Sequence, residues 1–216
     1  MKRERISNNV IRRLPMYLRR LDELIAQNVD RISSNELGRQ MGLTPSQIRQ
    51  DFSCFGEFGQ QGYGYRVPEL RDQVARILGM NEGYSAIIIG AGNLGHALIE
   101  NMQFSELGFS IAAAFDASPD KIGTSISGVE IYDSKLIADW LVRNPTDIAV
   151  LTVPPTVAEN IARLVADHGV KGIWNFTNID LDLGDIDVLI ENIHFSDSLL
   201  TLSYYVKSKN DKATDI

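Results

Sequence analysis

Cysteine is almost absent: Cys54 is the only one in 216 residues. A lone thiol cannot close an internal disulfide or build a thiolate metal site, which fits a reducing compartment. No apolar run approaches the ~18 residues that cross a membrane. The basic start, MKRERISNNVIRRLP, lacks the apolar core of a secretory signal. The expected location is therefore the cytoplasm, with no membrane and no metal partner. Histidine is also scarce. His96, His168 and His194 are the three, and none stands in a catalytic context. A dehydrogenase needs a proton donor beside the reacting carbonyl, so this scarcity argues against an enzyme. There is no internal repeat and no low-complexity segment.

What is present is unevenly charged. Residues 1–80 hold 13 Lys and Arg against 9 Asp and Glu, a balance of +4. The remainder holds 8 against 19, a balance of −11, within a net charge of −7. A basic N-terminal segment on an acidic body suggests that only the first part meets a polyanion. The apolar fraction of 44% is enough for packed cores.

The chain is organised around Ser85 to Asp116. Ala86-Ile87-Ile88-Ile89 reads as a strand buried on both faces. Gly90-Ala91-Gly92-Asn93-Leu94-Gly95 follows, then a helical stretch, then the apolar run Ile111–Phe115 ending in Asp116. Strand, glycine turn, helix, strand and acid together suit a dinucleotide. Gly90 allows the tight turn, and Gly92 lets a pyrophosphate approach the backbone. Asn93 and Leu94 open the helix, Gly95 lets it pack on the strand, and Asp116 accepts from a ribose hydroxyl. A carboxylate there favours NAD over NADP.

Before this unit, Ser7 to Ala26 carries apolar residues at helical spacing, interrupted by Pro15. Arg12, Arg13, Arg19 and Arg20 lie among them, either as a solvated face or as phosphate contacts. Ile32 to Leu43 and Thr44 to Phe52 read as two short helices joined at a glycine. Thr44 serves as cap, Pro45 as first helical residue and Gln47 as capping-box residue. That is a helix-turn-helix pattern, whose second helix enters a major groove by its N-terminal residues. Phe55 to Val67 reads as a strand, a glycine-rich tip and a strand, the hairpin of a winged helix. Pro68 to Leu78 reads as a closing helix, and residues 79–83 as a linker. Cys54, at the end of the second helix, is expected to be buried and inert. His96 is expected on a helix surface, and His168 in a structural place at a helix C-terminus.

With these segments in view, the chain resembles the Rex family of bacterial redox-sensing repressors. The resemblance rests on Ser33-Ser34…Leu37-Gly38, Ile48–Gly56, Gly59…Gly62-Tyr63-Gly64-Tyr65 and Gly90–Gly95. Leu151–Pro154, Gly169–Phe176 and Glu191–Phe195 extend it over nearly the whole chain. It implies an operator-binding homodimer on an inverted repeat of double-stranded DNA, with NADH and NAD as ligands. NADH is expected to release the DNA. It also implies that the last helix is exchanged between subunits, with Phe195 near the partner's nicotinamide. The chain departs from the family in three places. Gln50 stands where relatives commonly have lysine, and Gln60 and Gln61 where they have basic residues. His194 replaces an acid that in some relatives pairs with an arginine matching Arg19 and a tyrosine matching Asn101, so a His194–Arg19 ion pair is not expected.

After Asp116, strands and helices alternate, which means a parallel, doubly wound α/β sheet of Rossmann type. Strands are expected at 128–132, 147–153, 172–176 and 187–190, and helices at 134–143, 156–168 and 192–206. Ligands bind beyond the carboxyl ends of such strands. Thr152, Val153, Pro154 and Asn175 stand there, placed to flank a nicotinamide. The expected organisation is a winged-helix DNA-binding domain at 1–80, a Rossmann NAD(H) domain at 84–191, a dimerisation helix at 192–206 and a disordered tail at 207–216. DNA contacts are expected from Arg13, Ser46, Gln47, Arg49, Gln50, Gln60, Gln61, Gly62 and Tyr63. The competing readings are an NAD-dependent oxidoreductase and a nucleotide- or CoA-binding interaction module. No substrate domain follows the Rossmann unit to favour the former.

Overall fold

The computed structural model describes residues 6–56, 58–59 and 63–214. The chain divides into two compact units, Met1–Glu82 and Gly83–Ile216. The junction lies two residues beyond the expected boundary at 80.

The first unit begins with α1, Asn8–Ala26, whose N-cap Ser7 accepts a hydrogen bond from the Val10 N–H. Pro15 lies inside this helix. It removes the hydrogen bond to the Ile11 carbonyl, but on the exposed face, where water can replace it. The opposite face buries Leu14, Tyr17, Leu18, Leu21 and Leu24. The short strand β1, Arg31–Ile32, leads into α2, Ser34–Met41, capped by the Ser33 hydroxyl. Gly42 turns the chain in the left-handed region, and Thr44 caps α3, Pro45–Ser53, through the Gln47 N–H. Phe52 of α3 is the hub of the core. Its ring centroid lies 4.8 Å from that of Tyr17, 5.4 Å from Tyr65 and 5.6 Å from Phe58.

The wing differs from the expected hairpin. β2, Tyr65–Arg66, pairs antiparallel with β1, Arg31 opposite Arg66 and Ile32 opposite Tyr65. Phe55 and Gly56 form no strand. Gly56 and Gly59 adopt φ of 140° and 82°, which interrupts extended pairing, and the Phe58 ring turns inward onto Phe52. α4, Val67–Ile77, closes the unit.

The second unit contains β3 (Tyr84–Ile89), α5 (Asn93–Asn101), β4 (Phe109–Asp116), β5 (Ser125–Ile126) and β6 (Val129–Asp133). After these come α6 (Ile137–Arg143), β7 (Ile148–Leu151), α7 (Pro155–Asp167), β8 (Gly172–Asn175), β9 (Leu189–Asn192) and α8 (Phe195–Thr214). The sheet order is β5-β6-β4-β3-β7-β8-β9. All its pairings are parallel except β5 with β6. β5 is an antiparallel edge that the strand pattern did not foretell. β3 alternates its isoleucines between two cores. Ile87 and Ile89 pack with Phe115, Leu151, Ala158 and Ala162, and Ile88 packs with Ile99, Ala114 and Val150. That two-sided burial explains the unbroken apolar run. Between β3 and β7 the winding reverses, so a ligand crevice opens beyond the carboxyl end of β3.

The C-terminal boundary is corrected in two ways. Asn192 belongs to β9, and α8 starts at Phe195. The helix also continues through residues 207–214, where a disordered tail was expected. That segment has no glycine or proline to stop the helix.

Candidate functional site

The nucleotide crevice is built at the end of β3. Gly90 turns the chain at φ 100°, and its N–H donates to the Phe115 carbonyl at 2.7 Å. Gly92 is the N-cap of α5, and no side chain caps this helix. Its first N–H groups therefore point to open space with their positive partial charge. A Cβ added at Gly92 would meet nothing within 4 Å, so there is room for a pyrophosphate against the backbone. A Cβ at Gly95 would lie 2.0 Å from the Gly90 carbonyl oxygen, so only glycine lets α5 sit on the turn. Asn93 and Leu94 occupy the first turn of α5.

Asp116 ends β4 beside this turn. One carboxylate oxygen accepts from the Ser118 N–H at 2.8 Å, and the other from Lys121 Nζ at 3.0 Å. Burial pushes the acid upward, but the Ser118 N–H, Lys121 and the Ala91 N–H outweigh it and hold the carboxyl below its usual range. Asp116 is thus ionised and tied to the glycine turn. Sequence reasoning missed Lys121. Its signal was available, a cation five residues past a strand-end acid across a short turn.

On the far side of the crevice the expected residues divide. The Thr152 hydroxyl donates to the Gly90 carbonyl at 2.6 Å, with the Ile89 carbonyl at 3.1 Å, and so braces the glycine turn. Val153 is half-buried, and Pro154 is exposed at the N-cap of α7. Asn175 is 1% exposed. Its Nδ2 donates to the Ile179 carbonyl and to Asn192 Oδ1, and its Oδ1 accepts from the Thr177 N–H and hydroxyl. All four positions of that amide are filled, so its side chain holds a loop and has nothing left for a ligand. Phe195 is 56% exposed, with its ring 6.0 Å from that of Phe176 at the end of β8.

In the first unit, Ser46, Arg49 and Gln50 are exposed on α3, and Gln47 is half-buried. Arg49 donates to the Ser34 hydroxyl at 2.9 Å and the Ser46 hydroxyl at 3.3 Å, which holds it over the start of both helices. Arg13 is engaged within the unit, donating to Asp51 at 2.6 and 2.7 Å. Tyr63 is 71% exposed. Gln60, Gln61 and Gly62 lie outside the described residues. Cys54 is exposed, not buried. It falls one turn after Gln50 on the outer face of α3, while Ile48, Asp51 and Phe52 take the inner face.

Each histidine has a partner within its own unit. His96 faces Glu100 at 3.3 Å, His168 Nδ1 lies 2.7 Å from the Leu164 carbonyl, and His194 lies 2.9 Å from Asp180. Asn101 donates to the Ala97 carbonyl. Among the described residues there is no cluster of metal-ligating side chains, and no helix is long and apolar enough to cross a membrane.

Comparison with known proteins agrees with this division. A family model described as a putative DNA-binding protein N-terminus matches residues 5–53, and one described as a CoA binding domain matches residues 81–179. The redox-sensing transcriptional repressor Rex of Clostridium botulinum is 52% identical over 202 residues, 94% of this chain and 96% of that one. The Rex of Clostridium kluyveri is 50% identical over the same shares. The crystal structure of RSP with β-NAD+ and operator DNA superimposes with a TM-score of 0.89 at 46% identity, covering 98% of this chain and 97% of that one. RSP with β-NADH gives 0.90 at 43% identity, covering 99% and 100%. With its helix-turn-helix unit and its glycine-turn sheet matched together over almost its full length, the chain belongs to the Rex family of redox-sensing transcriptional repressors.

Proposed function

We propose that this chain represses transcription as a homodimer on an inverted-repeat operator and is released when NADH occupies its second unit, so that it reads the NADH/NAD ratio. It is a regulator and not an enzyme, in keeping with relatives at half identity that are repressors. One observation carries the reading. A single chain holds a capped helix-turn-helix with Ser46, Arg49 and Gln50 facing out, and an uncapped helix start over Gly92 beside the ionised Asp116.

The residues present suit NADH and NAD. The α5 N–H groups over Gly92 would hold the pyrophosphate, and Asp116 would accept from the adenosine ribose. The cofactor supplies the redox difference, and the protein supplies recognition. Phe195 and the 152–154 turn are the groups we assign to the nicotinamide half. Arg13, Ser46, Gln47, Arg49, Gln50 and Tyr63, with Gln60, Gln61 and Gly62 of the wing, are those assigned to DNA. Operator DNA places the protein in the cytoplasm. The apolar side chains along α8 give the helix reason to pack on a second copy.

Coupling between nucleotide and DNA must be reciprocal: operator weakens NADH binding by the factor by which NADH weakens operator binding. The test is a gel shift of genomic fragments with NAD or NADH present. Retention with NAD and release with NADH is the expected result, and no retained fragment would reject the reading. The CoA binding domain match favours a second reading, and CoA added in the same assay separates the two. If CoA rather than NADH releases the fragment, the second reading replaces the first.

A further inference from the structure

Asp51 is the one charged residue among the inner-face positions of α3, alongside Ile48 and Phe52, and its side chain is 2% exposed. A buried ion pair is a weak device for stability, since an apolar residue of similar volume does as well or better. Its geometry points elsewhere. Arg13 Nε donates to Asp51 Oδ2 at 2.6 Å, and Arg13 Nη2 donates to Oδ1 at 2.7 Å. Tyr17, one turn later on α1, donates its hydroxyl to Oδ2 at 2.7 Å. Two donors from one face of α1 thus clamp a single acid of α3.

The fork is side-on. It uses Nε and Nη2 and leaves Nη1 outside the pair, with no hydrogen bond from it among the described residues. The Arg13 side chain is 19% exposed, so the guanidinium reaches the surface next to α3. Asp51 follows Gln50 directly and lies two residues past Arg49, both on the outer face of the same helix. A guanidinium already held in one orientation loses little freedom when it donates to a phosphate oxygen.

We infer that Asp51 is a positioning residue for DNA. It presents Arg13 Nη1 to a backbone phosphate of the operator and so fixes how deep α3 sits against the bases. This rests on the reading of α3 as a DNA-binding helix. It makes an electrostatically contrary claim: removing a negative charge beside DNA should weaken binding rather than strengthen it.

The experiment measures operator affinity of the full chain by fluorescence anisotropy across a salt series, with stability followed by circular dichroism. Arg13→Gln should weaken binding about tenfold or more, as loss of a charge-assisted hydrogen bond does. It should also make the salt dependence shallower by about two units of slope, about one for each protomer of the dimer. Asp51→Asn should weaken binding to a similar degree, and the double variant should be no worse than Arg13→Gln alone. Tyr17→Phe keeps the fork, so its affinity should stay within about twofold while its melting temperature falls. Arg13→Lys guards against a misfolded Asp51→Asn. It keeps the charge without the fork and should also bind weakly. Tighter binding by Asp51→Asn, additive penalties, or wild-type affinity in Arg13→Lys would overturn the inference. If the wild-type chain binds no duplex, the DNA-binding reading falls and this inference falls with it.

Discussion

Two helices of nearly equal length, α1 with 19 residues and α8 with 20, use their apolar residues in opposite ways. α1 buries Leu14, Tyr17, Leu18, Leu21 and Leu24 against its own unit. α8 leaves Phe195, Leu199, Leu200, Leu202, Tyr204, Tyr205 and Val206 exposed. Both are continuous helices, so the difference lies in where each finds a partner surface. α1 is folded by what the chain itself supplies. α8 carries a similar apolar load that the described residues of its own unit leave more than half exposed, which is the condition of an interface.

The strongest way to break this comparison is to remove α8. The cut belongs after Ile193, because Asn192 is part of β9 and holds Asn175. The shortened chain should sediment as a monomer and lose about 10²–10⁴-fold in operator affinity, as two half-sites are no longer read together. A dimer that still binds normally would refute the exchange of this helix.

Next in size is Leu21→Ala in α1, expected to cost about 2–5 kcal/mol in urea unfolding of the first unit, at any protein concentration. Leu202→Ala in α8 should act only through association, so its effect should fade on dilution. Equal effects of the two at low concentration would erase the distinction.

Smaller effects sharpen the contrast between groups satisfied within the chain and groups awaiting a partner. Asp116 is partly satisfied by Ser118 and Lys121. Asp116→Ala should still lose about 1.5–3 kcal/mol of NADH affinity in a fluorescence titration, as a charge-assisted hydrogen bond does. Gln50 is exposed and can both donate and accept, so it pairs best with adenine N6 and N7. Gln50→Lys should move the preference at one base of each half-site from adenine toward guanine, by about 1–3 kcal/mol. Operators differing only at that base would show it, and an unchanged preference would mean that Gln50 reads no sequence.

Legibility in the sequence followed the range of the interactions involved. The Ser33 and Thr44 caps, the turn at Gly42 and the Gly90–Gly95 turn are local, and reading them in order gave both units. The alternation of strands and helices gave the sheet, because a parallel sheet buried on both faces must be apolar without a break. The first strand of the wing, read at Phe55, is absent because β2 pairs instead with β1; these are two residues each and lie more than thirty residues apart, so no local turn announces the pair. The role of Asp51 was not legible in the pattern of α3, since its partners Arg13 and Tyr17 come from α1, more than thirty residues earlier. Asn175 was placed correctly at a strand end, but no pattern says whether such an amide faces a ligand or its own loop. Cys54 was misjudged by residue type when its spacing from Gln50 already put it outside.

Pro15 gives α1 a seam. Without the Ile11 bond, one of the backbone bonds that would join the helix from Asn8 to Leu14 to the rest is missing, while the ladder continues on either side. Arg13 lies on the near side of that seam and Tyr17 on the far side, and both are fastened to Asp51. The acid therefore acts as a staple across a hinge. Amide exchange along α1 should step at Pro15, slow beyond it and faster before it, and the step should widen when the staple is removed. In the repressor, the first two turns of the chain are then a small cooperative segment of their own, closing on α3 as a latch closes on a bolt.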